Sequence, residues 1–254
     1  MSLLDRVTLN KISIAESIVF FTGAGVSAES GIPTFRGKDG IWNKLKPEEL
    51  ANFDAFLKNP EMVWEWYKHR KKIVHESQSN SAHKAISDFQ TLFSSVTVIT
   101  QNIDNLHRRA GSRKVFELHG NIERNYCIKC KAPYNDEIIL KASAPRCKCG
   151  GLIRPDVVWF GEYLPQDQFI GGENAARNCD VFFVVGTSGI VYPAASQIFV
   201  AKDSGAFIIE INLEESEISR IADKSYLGKA GEILPQIYEE IKMEKRKSGS
   251  VLNS

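Results

Sequence analysis

Several groups of residues in this 254-residue chain have the types and spacing of a chemical site. The first is Gly23-Ala24-Gly25-Val26-Ser27-Ala28, a G-x-G-x-x-A run that directly follows the apolar stretch Ile18–Phe21 and Thr22. A glycine after a strand permits a tight turn. A second lets backbone N–H groups approach a pyrophosphate with no Cβ in the way, and a small third residue allows close packing. The chain then continues through Glu29-Ser30-Gly31-Ile32-Pro33-Thr34-Phe35-Arg36-Gly37 without settling into a long helix. There Arg36 offers a planar fork for phosphate and Phe35 a flat apolar face. No acidic residue closes a second strand about 20 residues on, where an ordinary dinucleotide-binding dehydrogenase keeps its ribose ligand. The run reads as a nucleotide cradle of another kind. A plain strand-to-helix turn accounts for such a run equally well when it stands alone.

The second group is Cys127-x-x-Cys130 and Cys147-x-Cys149, with sixteen residues between the pairs. Two close cysteine pairs at this separation read as a tetrahedral zinc site. The second pair has one intervening residue where two are usual, which tightens that knuckle, and the adjoining Gly150-Gly151 supply backbone freedom. Four thiolates leave no open coordination position, so such a metal is structural. Cys179, ahead of the apolar run Val181–Val185, reads as an inert core thiol. Third come Gln101, Asn102 and Asp104 after the run Val96–Thr100, and His119 beside Gly120 after Val115–Leu118. A histidine at a strand end can serve as a base near neutral pH. A polar helix cap and a structural histidine are the plainer readings of the same residues.

These groups need strands to bring them together. The apolar runs at 18–21, 96–100, 115–118, 181–185 and 206–211 are separated by helical patterns, which predicts a mainly parallel, doubly wound α/β sheet. In such sheets ligands bind outside the carboxyl ends of the strands. Those ends carry Gly23-Ala24-Gly25, Gln101–Asp104, Gly186-Thr187-Ser188 and Asn212-Leu213-Glu214, and one nucleotide across one edge accounts for all of them. No G-x-x-x-x-G-K-[ST] occurs, so ATP hydrolysis is not favoured. Helices starting near Pro47, Pro60 and Asn80 or Ser81 form a long insertion between the first two strands, and a last amphipathic helix covers Ile233 to about Met243. The expected organisation is a Rossmann-like domain from 1–46, 94–122 and 155–246, a helical insertion at 47–93, a small zinc-binding domain at 123–154 and a flexible tail at 247–254. Hydrophobic residues make up 43% and charged residues 25%, with net charge +1, so neither nucleic acid nor an anionic membrane is indicated as a partner. No run approaches the roughly 18 apolar residues of a membrane span. The N-terminal stretch has no secretory h-region, and the clustered cysteines suit a reducing, cytoplasmic compartment.

GAGVSAESGIPTFRG, then Thr100-Gln101-Asn102-Ile103-Asp104, His119-Gly120 and the four-cysteine cluster, in that order between about Ile18 and Ala230, resemble the sirtuin family of NAD-dependent protein deacylases. The resemblance implies that NAD is wrapped by Gly23, Ala24, Gly25, Ala28, Glu29, Pro33, Thr34, Phe35, Arg36 and Trp42. It places Gln101, Asn102, Ile103 and Asp104 at the nicotinamide and its ribose. It puts Gly186, Thr187, Ser188, Asn212, Leu213, Glu214 and Ala230 on the adenosine side. His119 is then the general base, with Asn102 as the other catalytic residue, and one zinc is structural. An acyl-lysine oxygen displaces nicotinamide from the ribose, and the products are free lysine, nicotinamide and O-acyl-ADP-ribose. A neutral His119 is required, so activity falls on the acid side.

Tyr67 and Arg70 lie three apart on the Pro60 helix and share a face. A phenol and a guanidinium there could clasp a terminal carboxylate. In sirtuins this Tyr-x-x-Arg pair is similar to the signature of the branch that removes succinyl, malonyl or glutaryl groups, with acetyl also accepted. A core aromatic beside a surface arginine is the alternative for this spacing. Trp64 and Trp66 read as packing. The family likeness also implies a protein partner whose acylated lysine sits in an extended segment bound as an added β-strand, against Val158, Phe160, Gly161, Glu162 and Val191. Rival readings are a mono-ADP-ribosyltransferase and a non-catalytic, NAD-sensing zinc-ribbon module.

Overall fold

Strand β1 (Ser17–Thr22) is apolar on both faces because both faces are covered, and Ile18 to Phe21 are fully buried. It lies at the centre of a six-stranded parallel sheet in the computed structural model, which describes residues 2–34, 47–139 and 141–251. The other strands are β2 (Ser95–Thr100), β3 (Val115–Glu117), β7 (Val181–Val185), β8 (Phe207–Asn212) and β9 (Lys224–Leu227), in the order β3-β2-β1-β7-β8-β9. The chain winds outward on one side of β1 and then on the other, so the order reverses between β1 and β7, where a doubly wound sheet opens a crevice. In-register pairing of Thr22 with Thr100 and Val185, of Thr100 with Glu117 and of Val185 with Ile211 keeps the carboxyl ends level. β9 adds to the five expected strands; it has four residues and one buried side chain, Tyr226, too little for a period to register.

Alternate side chains of the sheet feed two cores. Ile18, Phe20, Val98 and Phe183 pack beneath α1 (Arg6–Ser13), α5 (Ser81–Asp88) and α10 (Ala230–Val251), with Phe20 stacked on Phe183 at 4.8 Å. Val19, Phe21, Phe182 and Val184 pack beneath α8 (Gln166–Arg177) and α9 (Ser196–Asp203).

A second body hangs from the end of β3. Strands β4 (Gly120–Cys127), β5 (Pro133–Tyr134) and β6 (Ile153–Val157) form an antiparallel sheet in the order β5-β4-β6, with short helix α7 (Asp136–Ile139) beside it. α3 (Phe53–Lys58) and α4 (Pro60–Glu76) share a hydrophobic core with it, and α2 (Pro47–Leu50) lies against those two helices. Asn59 caps α4 ahead of Pro60 in the first turn, and Asn80 caps α5 in a reciprocal box with His83. Val63, Trp64 and Tyr67 of α4 share one core with Ile122, Ile153 and Trp159. The packing therefore cuts across the expected boundaries. The helices of 47–76 and the cysteine-bearing sheet are one body, α5 belongs to the parallel sheet, and β4 and β6 extend the small sheet from Gly120 to Val157. The segment from Arg154, expected to rejoin the main domain, first pairs with β4.

Candidate active site

The cradle forms where β1 ends. Ala24–Ser30 is a 3-10 segment, and the Gly23 and Gly25 N–H groups donate to the carbonyls of Val185 (3.0 Å) and Gly186 (2.8 Å). A Cβ on Gly25 would stand 2.7 Å from the Gly186 Cα. This glycine is thus required by the meeting of two loops, and its N–H is spent on Gly186, not left for a phosphate as the spacing suggested. Ala28 and Pro33 are exposed and Thr34 half-buried on the same segment. Phe35, Arg36 and Trp42 lie outside the described residues.

Across the crevice, the residues after β2 turn inward. Asn102 Nδ2 donates to the Gly23 carbonyl (3.0 Å) and to Ser27 Oγ (3.1 Å), and Ser27 donates to Asp104 Oδ2 at 2.7 Å. The Leu106 N–H holds Asp104 Oδ1 at 3.0 Å. Asn102, Asp104 and Ser27 are all buried. Burial pushes the Asp104 carboxyl above its ordinary value, against those two hydrogen bonds and the nearby Arg109 and Arg70 charges. His83 Nε2 lies 3.4 Å from Ser27 Oγ, and its ring meets His107 with centroids 4.8 Å apart. Burial lowers His83 to about 4 and His107 well below its usual range, so both are neutral at pH 7. Ser27 and His83 extend the expected cluster. Ser27 stood inside the glycine run but has no distinctive spacing, and His83 reads from sequence as an ordinary first-turn helix residue.

His119 occupies the two-residue link between β3 and β4. Its Nδ1 lies 2.9 Å from the Gln101 carbonyl. A carbonyl only accepts, so Nδ1 carries the proton and Nε2 presents its lone pair. Burial lowers the imidazole pKa below 6.5, partly offset by the Gln101 carbonyl. Gly120 follows with φ +80°, and a Cβ there would sit 2.2 Å from the Asp156 carbonyl oxygen, so only glycine fits.

On the far side, Gln101 Nε2 donates to Thr187 Oγ1 (3.0 Å) and Asn212 Nδ2 to the Thr187 carbonyl (3.2 Å). Gly186 and Ser188 are half-buried here, and Leu213 and Glu214 are exposed beyond β8. Ile103 is buried, its carbonyl accepting from the Ile122 N–H. Ala230 is buried at the start of α10, and the next N–H, of Gly231, donates to Glu29 Oε2 at 2.8 Å. Glu29, expected at the dinucleotide, ties the cradle to the positive end of a helix.

On α4, Tyr67 and Arg70 do share a face, and both are buried, so the surface-arginine alternative does not hold. Trp159 Nε1 donates to Tyr67 Oη at 2.7 Å, and Trp66 stands edge-on to the Tyr67 ring with the Arg70 guanidinium 5.6 Å from its own centroid. Trp64 is packing, as expected, its indole N–H on the Ile153 carbonyl. The segment after β6 bonds through the Val158 N–H to the His119 carbonyl (2.9 Å) and through the Phe160 N–H to the Ala51 carbonyl (3.0 Å). Phe160 is 49% exposed, Gly161 is exposed, and Val158 and Val191 are half-buried. Glu162, expected to touch substrate, holds Arg154 with both carboxylate oxygens and accepts the Trp159 N–H at 2.8 Å.

The four clustered sulfurs, Cys127, Cys130, Cys147 and Cys149, lie within 4.8 Å of one another. Cys127 approaches Cys149, and Cys130 approaches Cys147, to 3.5 Å. A tetrahedral ion with Zn–S bonds of about 2.3 Å requires sulfurs about 3.8 Å apart, so the cluster fits zinc, and the short knuckle brings Cys149 into the set. Lys129 and Cys149 N–H groups and the Tyr134 hydroxyl donate to the sulfurs, as they would to bound thiolates. Cys179 is buried, and burial pushes its thiol up to about 12, in keeping with an inert role.

The sequence profile of the Sir2 family matches residues 23–193. An NAD-dependent protein deacylase of Aquifex aeolicus is 51% identical over 228 residues, 89% of this chain and 95% of that protein. One from Pyrococcus furiosus is 52% identical over 231 residues, covering 88% and 92%. Among solved structures, a Sir2 homologue in complex with NAD superposes with TM-score 0.88 at 45% identity over 96% of each chain. A Sir2–p53 peptide–NAD+ complex gives 0.85 at 34% identity over 94% of this chain and 98% of that one.

Proposed function

The chain belongs to the Sir2 family and is an NAD-dependent protein-lysine deacylase, and we propose that its preferred acyl groups are those ending in a carboxylate, such as succinyl, malonyl or glutaryl, with acetyl also accepted. One observation carries the finer reading. Tyr67 and Arg70 are both buried on one face of α4, and the segment after β6 that holds the His119 carbonyl also holds Tyr67 through Trp159. A buried cation beside a phenol is costly for a pocket meant only for a methyl group and well matched to a carboxylate.

The residue roles follow from the same proposal. NAD lies across the crevice between β1 and β7 and supplies an activated ribose carbon. Asn102, Ser27 and Asp104 orient the nicotinamide ribose, and Thr187, Ser188 and Asn212 lie along the adenosine side. His119 Nε2 takes the proton of a ribose hydroxyl. The substrate segment adds beside Val158–Gly161 and Val191, with Phe160 flanking the acyl-lysine. Because the Val158 and Phe160 N–H groups are engaged internally, the added strand pairs through other backbone groups.

The test is NAD-dependent nicotinamide release from one peptide carrying succinyl-lysine or acetyl-lysine, with Tyr67→Phe and Arg70→Met beside the parent. A succinyl preference that both substitutions erase supports the acidic pocket. An acetyl preference that neither changes makes the pair scaffold and the enzyme a plain deacetylase.

A further inference from the structure

Trp159 packs among Tyr67, Phe53, Phe56 and Arg154. An indole N–H can only donate, so at 2.7 Å the Tyr67 oxygen must be the acceptor. The phenol proton then points elsewhere, and among the described residues the Trp159 indole is the hydrogen-bond partner of this hydroxyl. Both rings are almost wholly buried, at 1% and 2% exposure. Burial also holds the phenol well above its ordinary pKa, so Tyr67 is a protonated donor at neutral pH.

Trp159 is itself fixed from several sides. The Arg154 guanidinium carbon lies 3.5 Å from its ring centroid, and Arg154 is clamped by both oxygens of Glu162. The Trp159 backbone N–H donates to that same carboxylate, and Phe56 packs 5.2 Å away. Glu162, Arg154, Trp159 and Tyr67 thus form one chain of directed contacts that ends in a single hydroxyl proton.

We propose that Trp159 is a specificity-determining positioning residue: by occupying the Tyr67 oxygen as acceptor, it commits the Tyr67 proton to the terminal carboxylate of the bound acyl group. Without the indole donor, the hydroxyl can turn and use its oxygen toward a cation or water, and its donor direction is no longer set. An O–H···O⁻ bond is among the stronger hydrogen bonds, so setting its direction discriminates a carboxylate from a methyl terminus. The inference rests on the acidic-acyl reading above.

The experiment compares kcat/KM for succinyl- and acetyl-lysyl peptides in the parent, Trp159→Phe, Tyr67→Phe and the double variant. A parallel enzyme carries 3-benzothienylalanine at position 159, an isostere with sulfur in place of the N–H, which keeps the test alive if the phenylalanine variant does not fold. The succinyl-to-acetyl ratio is expected to fall about tenfold on removing the N–H, the range for a hydrogen bond to a charged group. The double variant is expected to lose no more of that ratio than Tyr67→Phe alone. A ratio left unchanged by the isostere, or losses that simply multiply in the double variant, overturns the role of Trp159 and makes it packing. If the parent shows no succinyl preference and Tyr67→Phe is silent, the acidic-acyl reading fails and takes this inference with it. If Tyr67→Phe erases the preference and the isostere does not, only the inference about Trp159 falls.

Discussion

The sheet edge proposed to carry the dinucleotide and the wall proposed to face the acyl group are built by different means. At the edge, loops after neighbouring strands are locked backbone to backbone, as in the Gly23 and Gly25 N–H bonds to Val185 and Gly186, and the side chains complete a frame already set by the sheet. At the wall, α4 meets the segment after β6 through side chains, an indole on a phenol, and that indole is held within its own segment by a guanidinium that a carboxylate clamps in turn. A frame made of main chain tolerates variation in most side chains but not a change in backbone approach. A frame made of side chains is open to retuning one residue at a time, which suits a surface that chooses among acyl groups.

The largest expected effect lies at the junction of the two regions. His119→Ala removes the proposed base and should lower kcat by about 10²–10⁴, while calorimetric NAD binding persists; loss of binding in step with turnover would mean that His119 serves the frame. Next, Gly25→Ala forces a methyl against the Gly186 backbone and should cost about 3 kcal/mol in a denaturant titration. An unchanged midpoint would show that the edge is softer than its backbone bonds suggest. Glu162→Gln leaves the buried Arg154 without a full countercharge. It should cost about 2 kcal/mol, below the figure for a wholly buried pair because Glu162 is 28% exposed, and it should alter acyl selectivity more than the KM for NAD. A larger change at NAD than at the acyl group would erase the distinction between edge and wall. The smallest effect concerns pH. A base must be unprotonated, and burial lowers the His119 pKa, so the acid limb of kcat/KM should lie below pH 6.5. A limb above 6.5 would require a countercharge beside the imidazole.

The same contrast explains what the sequence could convey. Strand runs such as Ile18–Phe21 and Val181–Val185 and the turns after them are local, and local patterns predicted the parallel sheet and the four-cysteine cluster. The partners of single side chains are not local. Glu29 and Glu162 look like ligand contacts beside their motifs, yet each is held by protein groups, Gly231 far along the chain and Arg154 across a turn. The burial of Arg70 depends on how α4 lies against other segments, so i, i+3 spacing alone leaves its environment open. His83 and Ser27 meet only after α5 folds back over β1.

His119 stands where the chain passes from one sheet to the other, with its imidazole fastened to Gln101 at the end of β2 and its carbonyl to Val158 of the small body. One residue is thereby tied to both sheets at once: its ring answers to the large sheet and its main chain to the small body.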